Sequence, residues 1–465
     1  MQLILFVLSA FCVSATRDAL RADRFISWKK KDSDHRAPFL GQPEQIHLSY
    51  GGHPSTYLVT WLTFDDTQSS QVQFGDDLIM RFNATSEISR FVDGGKKKTA
   101  RYIHRAVIKG IQPGKRYFYR VGSDFGWSSL YSFVGLKQRA EGGFKVAVYG
   151  DLGNINARSL GKLQRQAQDR EFDLVIHNGD LAYNMDDDNG KFGDEFMRQI
   201  EPMAAYLPYM VSPGNHEKRY NFSHYINRFT MPGSDHNLYY SFDLGDAHYI
   251  AYSSEIYYAN QFYDKSHIQR QYEWLRDDLK EANKNRENVP WIIVYGHRSM
   301  YCSDVEGDCT RVEKKMREGI DEYSTFGLES LFYEYGVDLI IGAHEHNYER
   351  HWPLFNFTVY NGTEGPYVDP PAPVHIVTGS AGCQGKTNHF ADPIAPWSAF
   401  RSSHYGFSRM QVFNKTHLYF EQVMASADKV EDSFWIIKSE HRVRDPKELQ
   451  HWTKQQSYLS LLKKH

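Results

Sequence analysis

The sequence predicts two successive domains, an all-β sandwich and then a larger α/β domain. Three observations predict it. Short alternating strands separated by Gly-Gly, Pro-Gly and Asp-Gly turns fill the early part of the chain. Wholly apolar strands then alternate with helix-length amphipathic segments, and several of those strands stop on a glycine followed by a polar residue. With 465 residues, 41% hydrophobic and 15% aromatic, the chain is long enough for two or three domains with substantial cores.

The first fifteen residues, "MQLILFVLSAFCVSA", have the apolar run of a secretory signal peptide and end on a small-x-small pattern, Val13-Ser14-Ala15. A membrane span needs about 20 apolar residues, so residues 1–15 are read as a signal and not as an anchor. Five N-x-S/T sequons without proline follow, at Asn83, Asn221, Asn356, Asn361 and Asn414. Together these predict a secreted or lysosomal glycoprotein without a membrane anchor. Cys12 falls in the signal, which leaves Cys302, Cys309 and Cys383, too few for a disulfide-built fold. Cys302 and Cys309 bracket a short loop and could pair in an oxidising compartment, with Cys383 free or intermolecular.

Residues 36–137 are assigned to the sandwich. Its strands read "QIHLSY", "TYLVTWLTF", "SQVQFG", "RYIHRAVIKGI", "KRYFYRVGS" and "SLYSFVG". The Pro113-Gly114 turn before "KRYFYRV" resembles a fibronectin type III module, which implies a scaffolding role.

After the polar hinge "LKQRAEGG" the period changes. Residues 143–430 form the α/β domain, with strands "FKVAVYGD", "FDLVIHNGD", "LPYMVSPGNH", "WIIVYGH" and "VDLIIGAHEH", and later "VHIVTGS", "RMQVFN" and "HLYFEQV". Helical stretches include Ser159–Arg170, His267–Asn285 and Phe326–Tyr335. Residues 431–465 are charged and loosely patterned, and read as a surface helix or partly disordered tail. The formal net charge of -3 argues against a nucleic-acid partner, because phosphate-backbone binding needs a concentrated positive face.

The strand ends carry the chemistry. Gly150-Asp151, Gly179-Asp180, Gly214-Asn215-His216, Gly296-His297 and Gly342-Ala343-His344-Glu345-His346 each follow an apolar run, so the polar residues emerge where α/β sheets bind ligands. With Tyr183 three residues beyond Asp180, the set is two aspartates, an asparagine, a tyrosine and three histidines, with His216 as an extra. Such oxygen and imidazole donors match a hard-to-borderline dinuclear metal site.

The ordered blocks "GDLG", "GDLAY", "GNHE", "GHRSMY" and "GAHEHNYER" closely resemble those of the purple acid phosphatases, within the metallophosphoesterase superfamily. Larger members of that family also carry a fibronectin-like sandwich ahead of the catalytic domain, so the resemblance spans nearly the whole mature chain. It implies an acid phosphatase that hydrolyses small phosphate monoesters by attack of a metal-bound hydroxide at an Fe(III)-M(II) centre. It places Asp151, Asp180, Tyr183 and His346 around the ferric ion, with Asp180 bridging to a divalent iron, zinc or manganese held by Asn215, His297 and His344. His216 is implied as an outer residue that contacts phosphate and acts as general acid, or alternatively only orients its neighbours.

One departure concerns the substrate. Plant members carry a histidine pair about nine residues beyond the metal histidine, whereas this loop reads "CSDVEGDC" and holds the carboxylates Asp304, Glu306 and Asp308, which are expected to disfavour highly anionic substrates. Animal-type long members resemble the sequence more closely, including the local cysteine pair. Two alternatives stay open at this point: a phosphodiesterase on the same scaffold, and a non-catalytic glycoprotein.

Overall fold

A computed structural model describes residues 39–439 apart from 235, 260, 306–308, 310–313 and 322. The expected signal peptide, the chain beyond 439, and Glu306 and Asp308 therefore lie outside the described residues. The N-terminal strands form two facing antiparallel sheets. In one, Thr56–Thr63 sits between Glu44–Tyr50 and Ala100–Lys109, with Glu87–Val92 on the far edge. In the other, Gln71–Gly75 and Arg116–Ser123 pair at the centre. Alternation explains the sandwich: Tyr57, Val59 and Trp61 point inward and are buried, as are Tyr117, Tyr119 and Val121 across from them. The edge strands Phe82–Thr85 and Glu87–Val92 escape a pattern reading because they are largely exposed and polar.

The α/β domain is built on two mixed sheets. The six-stranded sheet runs in the order Tyr209–Ser212, Leu174–Asn178, Phe144–Tyr149, Gly406–Val412, His417–Met424 and Lys429–Ile437. Its first three strands are parallel. The seven-stranded sheet places Ala247–Ala251, Trp291–Arg298, Leu339–Ala343 and Val374–Thr378 in parallel at its centre. These central strands are buried on both faces, which is why they read as continuous apolar runs. The sheets meet at their carboxyl ends, where the Asn178 side chain donates to the carbonyls of Gly296 and Ile341 at 3.0 and 3.2 Å.

Three helices match the expected stretches, at Leu160–Gln168, Lys265–Lys284 and Leu328–Glu334. The last expectation, a helix or loose tail from residue 431, is corrected. Lys429–Ile437 is an edge strand paired along its length with His417–Met424, burying Phe434 and Ile436. Glu431 and Asp432 interrupt the apolar alternation there, and Asp432 is used internally, accepting from the Arg350 guanidinium at 2.7 and 2.9 Å.

The sandwich is tied to the α/β domain by buried charge. Asp194, on the helix Asp187–Ala204, accepts from Arg101 of the sandwich at 2.6 Å and lies 2.9 Å from Arg228, with all three side chains under 5% exposed. Removing one member of such a group strands the others, so each is costly to replace.

Candidate metal centre

All the predicted ligand positions converge at the carboxyl edge of the two sheets, in two linked clusters. In the first, the Tyr183 hydroxyl donates to Asp151 Oδ1 at 3.1 Å and meets His346 Nε2 at 2.7 Å, while His346 Nε2 lies 3.5 Å from Asp151 Oδ1. In the second, His297 Nε2 is 3.2 Å from Asn215 Oδ1, 3.2 Å from His344 Nδ1 and 3.4 Å from Asp180 Oδ1. Donor atoms of Asp180, His297 and His344 lie within 4.8 Å of one another. The clusters are joined through the backbone, since the His344 N–H donates to Asp151 Oδ2 at 2.9 Å.

Local backbone explains how neighbouring residues face one point. Asp151, Asp180, Tyr183 and His344 all have positive φ, at 59°, 49°, 54° and 70°. A left-handed conformation at a non-glycine residue costs about 1–3 kcal/mol and persists only when its surroundings fix it. At Asp180 the fixing group is Glu217, a buried carboxylate that accepts the N–H groups of Asp180 and Leu181 at 2.9 Å and of Gly214 at 2.8 Å. Gly179 must be glycine on two counts: its φ is 80°, and a Cβ there would stand 2.4 Å from His297 Nδ1. That same nitrogen is 3.0 Å from the Asn178 carbonyl, which can only accept, so Nδ1 carries a hydrogen and, in the neutral ring, the Nε2 lone pair faces the site.

The electrostatics call for a cation. Asp151 and Asp180 are buried, and among the described residues neither has a lysine or arginine within ion-pair distance. Burial opposes ionisation of Asp180, but His297 outweighs it and holds the carboxyl well below its ordinary range. Conversely, burial disfavours charge on His297, yet Asp180 and Asp151 push it up to about 10. Burial, then Asp151 and Asp180, raise the Tyr183 phenol well above 10, so a phenolate forms there only under a strong positive charge. Burial and the adjacent Asp180 raise Glu217 to about 8. Carboxylate and phenol oxygens at the first cluster, with amide oxygen and imidazole at the second, fit a hard ion beside a borderline one.

His216 is set apart. Its side chain is 31% exposed against 2% for Asp180, and its Nε2 lies 3.8 Å from Asp180 Oδ2, beyond hydrogen-bond range. Its backbone N–H donates to Asp180 Oδ1 at 2.9 Å, and its ring packs against Tyr183 with centroids 4.5 Å apart.

Comparison with known proteins agrees along most of the described chain. Residues 144–348 match the calcineurin-like phosphoesterase family, 43–134 the N-terminal domain of purple acid phosphatases, and 372–433 an iron/zinc purple acid phosphatase-like C-terminal family. Acid phosphatase type 7 of Mus musculus is 49% identical over 401 residues, covering 85% of this chain and 91% of that one. The chain belongs to the purple acid phosphatase family. As a purple acid phosphatase it is an acid phosphatase of the metallophosphoesterase superfamily. The Fe(3+)-Zn(2+) purple acid phosphatase 12 of Arabidopsis thaliana is 27% identical, with 94% of each chain covered. Purple acid phosphatase PPD1 from yellow lupin seeds superimposes with a TM-score of 0.71 at 25% identity, covering 86% of this chain and 75% of that one.

As the sequence reading allowed, Cys302 and Cys309 of this purple acid phosphatase are joined in a disulfide, and Cys383 is a buried free thiol. One feature differs from that reading. Asp304 in the enclosed loop is only 2% exposed and takes a hydrogen bond from Asn388 at 3.2 Å, so this carboxylate is not presented to solvent to disfavour anionic substrates as expected. Glu217 and Asn184 were missed. Glu217 was legible in principle, as the acidic residue completing "GNHE", but its role requires the neighbouring turn to be seen.

Proposed function

We propose that this enzyme hydrolyses phosphate monoesters in acid, with ferric iron held by Asp151, Tyr183 and His346, a divalent ion held by Asn215, His297 and His344, and Asp180 shared between them. One observation carries the reading: side chains from five separate strand ends close into two clusters whose neighbouring donor atoms are 2.7–3.5 Å apart. The iron and zinc in the Arabidopsis relative's name support that pairing. When bound, two such ions polarise a phosphoryl group and supply an activated water.

The protein's own groups do the rest. Asp180 has one oxygen towards His297 and the other towards His216, an arrangement that suits sharing. His216 Nδ1 is held 2.9 Å from Asn184 Oδ1, an oxygen that only accepts, so the ring's Nε2 is left facing the open side. That atom is the one positioned to touch phosphate and to give its proton to the departing alkoxide. No serine or cysteine nucleophile is required.

Metal analysis with a visible spectrum of the purified protein tests the assignment. One iron and one divalent ion with a purple band are expected; a colourless protein with two zinc ions and no iron would refute the ferric pole. Faster turnover of bis-aryl than mono-aryl phosphate esters would instead favour a phosphodiesterase.

We further propose a secreted or lysosomal glycoprotein, with a signal at residues 1–15, domains at 36–137 and from 143, and the catalytic domain running through the strand that ends at Ile437. Asn83, Asn221, Asn356, Asn361 and Asn414 are all exposed, and the Cys302–Cys309 disulfide suits an oxidising compartment. Among the described residues no helix is long and apolar enough to cross a membrane. A mobility shift on enzymatic deglycosylation, and its absence after all five asparagines are replaced, is the expected result.

A further inference from the structure

We infer that Arg298 and Glu255 form an opposed pair that sets the affinity of the divalent pole, Arg298 lowering it and Glu255 restoring it. The inference rests on the ligand assignment above. Arg298 directly follows His297, and its guanidinium lies behind the other histidine of that pole: Nη1 is 3.1 Å from His344 Nε2, across the ring from the Nδ1 that faces His297. Its position is fixed from three sides. Nε donates to Glu255 Oε1 at 2.8 Å, the backbone N–H donates to Ser254 Oγ at 3.0 Å, and the guanidinium sits over the Tyr258 ring at 4.7 Å. Arg298 is 9% exposed and Glu255 1%, so water screens neither charge well.

Two effects of Arg298 have the same sign. A poorly screened positive charge one imidazole away from a cation site repels the cation. Arginine also has only donors, so its contact favours the His344 ring with the lone pair on Nε2 and the hydrogen on Nδ1, the nitrogen turned towards the site. Glu255 offsets the first effect by placing a carboxylate on the same guanidinium. The cluster of Asp151, Tyr183 and His346, by contrast, has no arginine among its hydrogen-bonded partners in the described residues.

The test is zinc affinity, measured by chelator competition on protein stripped of its divalent ion but retaining iron. Replacing an outer partner that supports a metal ligand typically costs about 10–100-fold in affinity, which sets the scale for a partner acting in either direction. Arg298→Met is expected to bind Zn(II) about tenfold more tightly and Glu255→Gln about tenfold more weakly. The double variant should return close to the parent, with the iron-dependent visible band unchanged throughout. A purely structural pair would weaken zinc binding in both single variants, so shifts in one direction, or none, overturn the inference. Should Arg298→Met fail to fold, as judged by circular dichroism, the double variant still decides: zinc binding no tighter than in Glu255→Gln overturns it. His344→Ala keeping full zinc affinity would overturn the ligand assignment itself, whatever the other variants show.

Discussion

Glu217 gathers the backbone N–H groups of Asp180 and Leu181, each at 2.9 Å, onto one buried carboxylate. With the Gly214 N–H as a third donor, this side chain shapes the turn that aims Asp180 between the two clusters. Glu217→Ala is expected to leave three buried donors without an acceptor, at roughly 1–3 kcal/mol for each. A large fall in melting temperature should accompany loss of bound metal. Glu217→Gln, which keeps one acceptor oxygen, should fall between Ala and the parent. An Ala variant with parental stability and metal content would show that the turn holds itself.

Tyr183→Phe separates colour from chemistry. The phenol is buried against Asp151 and His346, and nothing in the proposed reaction moves a proton through it. Removing the oxygen should bleach the visible band, which arises from phenolate-to-iron charge transfer, and leave measurable phosphatase activity. An unchanged band in this variant would remove Tyr183 from the ligand set.

His216 is partly exposed and, among the described residues, its ring is hydrogen-bonded only to Asn184, so replacing it should spare the metals. His216→Ala is expected to lower kcat by about 100-fold on alkyl phosphates, whose leaving groups need a proton. The loss should be much smaller on aryl phosphates with acidic leaving groups. Equal losses on both substrates would leave His216 as an orienting residue alone.

What the sequence disclosed follows from how local each signal is. Strands buried on both faces announce themselves as apolar runs, and a glycine before a polar residue marks where each one surfaces, so Asp151, Asp180, Asn215, His297 and His344 were legible one strand at a time. The helix Asp187–Ala204 was not, because three consecutive left-handed residues, Asp188 to Gly190, and an internal Pro202 break its period. The edge strand Lys429–Ile437 hid behind acidic residues that accept hydrogen bonds from Arg350 and Ser402 of the seven-stranded sheet. Glu217, Glu255 and Arg298 act on residues from other segments, and no spacing within one segment encodes such a contact.

Stability should carry its own acid preference, through a histidine that is neither a proposed ligand nor the proposed general acid. His248 lies in the strand Ala247–Ala251, opposite Asp243 in the antiparallel pair and beneath Asp278 of the helix Lys265–Lys284. Its Nδ1 is 2.6 Å from Asp243 Oδ1 and its Nε2 is 2.9 Å from Asp278 Oδ2, so both ring nitrogens face acceptors. Burial disfavours the charged ring, but the two carboxylates outweigh it and raise the pKa to about 9. An unfolded histidine titrates near 6.5, so the folded state binds this proton more tightly. The stabilisation is complete below about pH 6.5 and disappears as pH rises through about 9. Because Asp243 is half exposed, its share is screened, and roughly 1–2 kcal/mol is expected in all. His248→Gln should therefore melt about 1–2 °C below the parent at about pH 5.5, with the gap closing by about pH 9.5. A gap that stays constant across that range would mean that His248 is neutral in the folded protein.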